Sequence, residues 1–364
     1  MKKEIIYNFA AGPAMLPKEV LTQVQSDIQQ YKLSQTSILE LGHRTIQFED
    51  ILKHAKLQLK TLLQIPDTYE ILFTQGGASL QFAIIPMNLM HNKQADYILT
   101  GLFSELAYEE AKLYGTIRVA GSTKDMQYCQ IPTQQMLDIS KDSSYVYMCW
   151  NNTVYGSMWH YVPDTNHIPL VADMTSCLLT QQIDVEKFGL IFAGTQKNLG
   201  IAGLCVIIIR KDLITFPISN IPTLLRYDVL SRANSMYQTP PIFAIYVMDK
   251  VLEWMKQQGG IQVLEKQNKE KSSLLYRYLD QSMFYQTKIH VLDRSIVNVT
   301  FYTPNEQLDK QFIEEAKQNG LYNVQGHKKV KGIRISLYNA MPLEGVRALV
   351  VFMRIFEERY KSFV

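Results

Sequence analysis

The sequence predicts an α/β fold built on a mainly parallel sheet. Three observations predict it. Short runs such as Leu170-Val171-Ala172 and Leu190-Ile191-Phe192-Ala193 are apolar at every position. Segments with helical apolar spacing lie between such runs. A glycine-rich turn, Gln75-Gly76-Gly77-Ala78-Ser79, joins one strand to one helix. Runs apolar at every residue mark strands covered on both faces, and alternation with helices produces parallel pairing.

The elements follow in order. A helix runs from Pro17 to Tyr31 with Val20, Leu21, Val24, Ile28 and Tyr31 on one face, and proline suits its first position. A second helix, from Ile46 to Leu63, turns Phe48, Ile51, Leu52, Ala55, Leu59 and Leu62 inward. A strand from Tyr69 to Thr74 precedes the glycine turn, and a helix starts at Leu80. Strands are expected at Asp96 to Leu99, Tyr145 to Met148, Leu170 to Ala172, Leu190 to Ala193 and Leu204 to Ile209. A helix from Phe243 to Met255 ends near Gly259-Gly260. A charged helix then runs from Val263 to Asp280. Strands at Val297 to Tyr302 and Ile333 to Ser336 flank a helix from Leu308 to Asn319, stopped by Gly320. The last helix runs from Leu343 to Tyr360. This divides the chain into an N-terminal segment (1–15), a large domain (16–260) and a smaller α+β domain (261–364).

Composition narrows the function. The chain has 364 residues, 47% hydrophobic and 20% charged, with a formal net charge of +3. This excludes a disordered, collagenous or disulfide-stapled chain. So weak a charge gives no sign of a nucleic-acid partner. No apolar run approaches the ~20 residues of a membrane span. The start Met1-Lys2-Lys3 and the run Ala10-Ala11-Gly12 are like the two ends of a signal peptide. Glu4, Asn8 and Pro13 interrupt the stretch, so none is expected. Cys129, Cys149, Cys177 and Cys205 form no C-x-x-C, which reads as free thiols in a reducing cytoplasm. The histidines form no H-x-x-x-H, and no metal site is expected.

Three segments could carry chemistry. Asp173 ends a buried strand, where α/β folds bind ligands. Lys197 lies on the turn Gly194-Thr195-Gln196-Lys197-Asn198, between two apolar strands. The backbone N–H groups of Gly76-Gly77-Ala78-Ser79, opening a helix, could hold a phosphate. Thr153 sits at another strand end. A lysine in such a place can equally be a surface cation. Together, though, a lysine, a strand-end aspartate and a phosphate nest are the parts that pyridoxal 5′-phosphate (PLP) requires. The lysine forms its Schiff base, the aspartate holds its ring nitrogen protonated, and the nest binds its phosphate.

The chain resembles the phosphoserine aminotransferases. The resemblance rests on Tyr7-Asn8-Phe9-Ala10-Ala11-Gly12-Pro13-Ala14-Met15-Leu16-Pro17, Phe73-Thr74-Gln75-Gly76-Gly77-Ala78-Ser79-Leu80-Gln81-Phe82, Ala193-Gly194-Thr195-Gln196-Lys197-Asn198, Thr239-Pro240-Pro241 and Tyr338-Asn339-Ala340-Met341-Pro342-Leu343-Glu344-Gly345-Val346. It implies a fold-type I PLP enzyme: a large domain with a mainly parallel seven-stranded sheet, a small C-terminal domain, and a cytoplasmic homodimer with active sites at the subunit interface. It implies O-phospho-L-serine plus 2-oxoglutarate giving 3-phosphooxypyruvate plus L-glutamate, in serine biosynthesis. It leaves open a second role on 4-phosphohydroxy-L-threonine in vitamin B6 synthesis.

Residue roles follow from the same resemblance. Lys197 would be the Schiff-base lysine and Asp173 the partner of the ring nitrogen. Thr153 would bond the ring hydroxyl side. Phe103 falls where the family usually has a tryptophan stacked on the ring. Ala78, Ser79 and Gln196 would bind the cofactor phosphate, with Gln238 and Thr239 from the other subunit. Arg334 would clamp the substrate α-carboxylate. His43-Arg44 and His327-Lys328 would receive its phosphate or distal carboxylate, the latter pair from the other subunit. Ser79 and Lys328 stand where some relatives have arginine, and each loses a bidentate fork. Gln238 replaces a common asparagine. Three other readings differ in single features. A cysteine desulfurase needs an exposed cysteine well after the lysine, and the last cysteine here is Cys205. A serine–glyoxylate type enzyme does not need the two His-cation pairs. A non-enzymatic PLP-fold protein would be expected to lose Lys197 or Asp173.

Overall fold

The computed structural model describes residues 6–32, 35–214 and 221–363. The basic start Met1-Lys2-Lys3 lies outside the described residues. A seven-stranded sheet forms the centre. Its spatial order is Tyr69–Gln75, Leu204–Arg210, Leu190–Gly194, Leu170–Asp173, Val146–Cys149, Gln94–Leu99 and Thr116–Ser122. Pairing is parallel except on the two sides of Leu204–Arg210, which runs antiparallel to both neighbours.

The strands alternate sides as a pleat requires. Val206 and Ile208 enter the core beneath the helices Ile46–Leu63 and Ile242–Gln257. Cys205, Ile207 and Ile209 enter the opposite core, beneath Gln81–Leu89 and Leu102–Ala111. Both faces are covered, as the continuous apolar runs predict.

A third core surrounds the antiparallel pair Asn298–Phe301 and Ile333–Ser336. The N-terminal segment joins it: Tyr7–Asn8 pairs with Leu321–Tyr322, and Phe9 is fully buried there. The helix Gly260–Gln281 belongs to two cores. Ile261 and Leu264 pack in the large one, and Leu275 and Leu279 in the small one. The change of packing therefore falls inside this helix.

Several elements differ from the reading of the sequence, among them the helices Leu102–Ala111 and Tyr227–Arg232, which it did not contain. Thr116–Ser122 is an additional strand at the sheet edge. Its middle is only half covered, so it carries no apolar run. The first helix is Lys18–Gln29, with Pro17 as its cap. Leu21 and Ile28 face outward at 49% and 38% exposure, while Asp27 is buried. The Tyr246 hydroxyl and the Gln23 amide donate to the Asp27 carboxylate.

Candidate active site

Four strand ends converge at one edge of the sheet. Val146–Cys149 leads through Trp150 and Asn151-Asn152 to Thr153. Leu170–Asp173 ends on its carboxylate, and Leu190–Gly194 ends one residue before the turn that carries Lys197. Tyr69–Gln75 ends at Gly76-Gly77, where the helical segment from Ala78 begins. Open α/β sheets bind ligands in the crevice at the carboxyl ends of their strands.

Close approach fixes one glycine here. A Cβ at Gly194 would lie 2.5 Å from Gln196 Oε1 and 3.3 Å from the Ala78 backbone nitrogen. The Lys197 turn and the Ala78 helix start therefore approach closely at position 194, where a side chain would displace the Gln196 amide. Gly12 marks a similar approach for the N-terminal segment, since a Cβ there would lie 3.3 Å from Lys197 Cγ. The Ala14 N–H donates to the Gln196 carbonyl at 2.9 Å.

The cleft between these ends, about 360 Å³ with its open mouth, is lined by Ala78, Ser79, Phe103, Thr153, Asp173, Gln196 and Lys197. All seven were singled out in the sequence. Lys197 Nζ donates to Thr153 Oγ1 at 2.6 Å and stands 5.3 Å from the centre of the Phe103 ring. Burial pulls its pKa down to about 8, against the opposing pull of Asp173. Burial pushes the Asp173 carboxyl above the ordinary aspartate value, opposed by hydrogen bonds from Thr175 and by the charge of Lys197. The Thr175 N–H donates to Asp173 Oδ1 at 2.9 Å.

The remaining site residues lie outside this cleft. Gln238 and Thr239 are exposed, and the Thr239 carbonyl accepts from the Gln75 side chain. His43 is half-buried and Arg44 exposed. His327 is half-buried and Lys328 exposed on the loop before Ile333–Ser336. Burial, with the charges of Arg334, Lys328 and Lys329, lowers the His327 pKa. Arg334 projects from that strand, and its charge also reaches Lys197. Sequence reasoning missed Asn151, Thr175 and Ser176. Asn151 Nδ2 donates to Ser176 Oγ at 2.7 Å and to Asn298 Oδ1 at 2.8 Å, tying the cleft to the small core. Short polar residues after a strand read as ordinary loop, so only the position of Thr175 two residues after Asp173 could have marked them.

Among the described residues eleven buried polar side-chain atoms have no partner, and two of them, Gln196 Oε1 and Arg334 Nε, belong to the site residues. Buried polar groups are paired in most folded proteins, so each of these two is a candidate to meet a ligand. An amine held by a neutral hydroxyl, a buried carboxylate, an aromatic face and a helix start fit a group with an aldehyde, a ring nitrogen and a phosphate.

A family model for aminotransferase class-V matches residues 6–349. A phosphoserine aminotransferase of Bacillus cereus is 46% identical over 355 residues, 97% of this chain and 99% of its own. The chain belongs to the class-V aminotransferases, in the phosphoserine aminotransferase family. Two solved structures carry the same likeness. The phosphoserine aminotransferase of Bacillus circulans subsp. alkalophilus superposes with a TM-score of 0.96 at 41% identity, over 98% of this chain and 99% of that one. The PLP-bound phosphoserine aminotransferase of Trichomonas vaginalis does so at 0.93 and 36% identity, over 96% and 99%. Within the class-V aminotransferases this chain departs from the desulfurase pattern, because Cys205 is fully buried in the sheet. No helix among the described residues is long and apolar enough to cross a membrane.

Proposed function

We propose that this chain binds PLP in the cleft around Lys197 and transfers the amino group of O-phospho-L-serine to 2-oxoglutarate. The products are 3-phosphooxypyruvate and L-glutamate, the reaction is reversible, and the step serves serine biosynthesis in the cytoplasm. The observation that carries this reading is the state of Lys197. Its amine touches the Thr153 hydroxyl, and it shares a cleft with Asp173.

Bound PLP supplies an aldehyde that takes the amino group and a ring that withdraws electrons from the substrate α-carbon. The protein supplies the rest. With a pKa of about 8, Lys197 keeps a usable fraction of neutral amine near neutral pH. That amine is a nucleophile and can carry the α-proton, and among the described residues no other amine lines this cleft. Asp173, steadied by Thr175, would hold the ring nitrogen through its negative charge. Phe103 offers a face for the ring, with less area than an indole. The backbone N–H groups of Ala78 and Ser79, with the Gln196 side chain, would hold the phosphate.

Arg334 suits the α-carboxylate, because a guanidinium fork matches a carboxylate in two parallel bonds. His43, Arg44, His327 and Lys328 would take the distal phosphate or carboxylate. Gln238 and Thr239 are exposed in the single chain and would complete the cleft of a second copy, which makes the working form a homodimer. Replacing Lys197 by alanine tests the reading: transamination should vanish while the folded dimer still binds PLP. Multiple-turnover activity in that variant would overturn the assignment.

A further inference from the structure

Lys271 has a peculiar place. It lies on the helix Gly260–Gln281, whose composition reads as a solvated charged helix, yet it is only 2% exposed. Among the described residues no carboxylate pairs with it. Its Nζ donates to three backbone carbonyls: Leu337 at 3.1 Å, Tyr338 at 2.8 Å and Met341 at 3.0 Å. An ammonium has three protons to donate, so the cage uses each of them once. The Met341 N–H also donates to the Tyr338 carbonyl at 2.9 Å. The lysine therefore caps a tight turn whose carbonyls point into the interior. A core that needed only volume would hold a leucine or methionine here, without burying a charge.

The turn is joined to the cleft by two routes. The Asn339 N–H donates to Asn198 Oδ1 at 3.0 Å, and Asn198 follows Lys197. The Asn339 side chain donates to the Leu179 carbonyl at 2.9 Å and accepts from Asn268 Nδ2 at 2.7 Å, one turn before Lys271. The second route runs through Tyr338, whose hydroxyl donates to the Ala11 carbonyl at 2.9 Å. Ala11 precedes Gly12, which lies against the stem of Lys197. Arg334 stands three residues before the caged turn.

We propose that Lys271 is a positioning residue for the active site, an internal cation that fastens the 337–341 turn and through it sets where Lys197 and Arg334 stand. This rests on the proposed roles of those two residues. Without the ammonium, three inward carbonyls lose their donor and the turn must move to find water. Asn339 and Tyr338 then lose their fixed places, and Lys197 becomes better solvated. Burial draws the Lys271 amine down toward about 7, while the three acceptors favour its charged form.

The test uses the full-length protein with Lys271→Met, which keeps length and volume but deletes the donors. Competitive acetylation at Lys197, read by mass spectrometry before PLP is added, should give half-reaction near pH 8 in the parent. In the variant it should shift upward by about one pH unit as solvation returns. In the loaded enzyme kcat/KM for phosphoserine should fall about 100-fold, the scale of a ~1 Å misplacement, with the unfolding midpoint still above the assay temperature. A folded variant with unchanged Lys197 titration and unchanged kcat/KM overturns the proposal and leaves Lys271 as core filling. If Lys271→Met does not fold, Asn198→Ala keeps the cage and cuts its link beside Lys197. It should shift the titration in the same direction, and an unchanged profile overturns the proposal. A parent that does not turn over phosphoserine refutes the proposed substrate alone, because the acetylation profile decides the role of Lys271 independently.

Discussion

At Lys197 a single amine is kept reactive by burial, and burial has a measurable consequence for stability. Its pKa is about 8 in the folded chain and 10.5 as an ordinary lysine. Between those values the unfolded chain binds one more proton than the folded one. Stability from this group therefore rises with pH, by about 1.4 kcal/mol per unit. Below pH 8 both states are protonated and the burial cost is complete. Lys197→Met in the PLP-free protein should thus be more stable than the parent at pH 7, and the advantage should fade from pH 8 to 10.5. A denaturant titration at several pH values measures it, and a constant difference would contradict the burial of the amine. A second residue, Lys328, keeps the charge but not the fork of the arginine found in some relatives. Lys328→Arg should leave turnover intact and hold or lower KM for phosphoserine, while Lys328→Ala should raise it; steady-state kinetics separate the two.

At the scale of elements, the glycine at position 194 sets where the Gln196 side chain stands in the cleft. Gly194→Ala would push a methyl to 2.5 Å from Gln196 Oε1. That oxygen is the far end of a flexible side chain, so the turn survives and Gln196 swings away. PLP affinity should fall on the order of tenfold, one lost hydrogen bond to a charged group, with little change in thermal midpoint. Equilibrium dialysis against PLP reads it. The buried central strands and most of the longer helices were legible, because a sheet covered on both faces writes itself as continuous apolar runs; the helix Leu102–Ala111 was not read. The direction of Leu204–Arg210 was not, since such a run reads alike in either sense. Thr116–Ser122 escaped because an edge strand needs no second apolar face. The first helix misled because Asp27 is paired inside by Tyr246 and Gln23, and hydrophobic spacing cannot reveal a satisfied buried acid. Lys271 hid for the same reason: its partners are carbonyls of a turn 66 to 70 residues away. By contrast, Asp173, Lys197, Thr153 and the Ala78-Ser79 turn were legible because each sits at a strand end, while Phe103 and Gln196 were reached through the family resemblance.

At the scale of the whole molecule, Arg334, Lys328 and Lys329 stand near enough to His327 to lower its pKa, His43-Arg44 lie on another loop, and Gln238 and Thr239 stand exposed. Mixing Lys197→Ala with Thr239→Arg should restore activity, because one site of the mixed dimer has both its lysine and its partner threonine. With random pairing the recovery is about a quarter of the parent, and a mixture as inactive as its components would contradict shared sites. The central claim is that these cations select a phosphorylated amino acid. Serine offers a hydroxyl where phosphoserine offers a phosphate, and the distal charges are then left unpaired. In the proposed homodimer a second copy would cover these groups, which are exposed or half-buried in the single chain; a charge left buried and unpaired there costs several kcal/mol, and about 1.4 kcal/mol corresponds to tenfold. The direct measurement is kcat/KM for O-phospho-L-serine against L-serine in a coupled assay with 2-oxoglutarate. The account predicts a preference for phosphoserine on the order of a thousandfold or more; serine or alanine turned over as well as phosphoserine would contradict it.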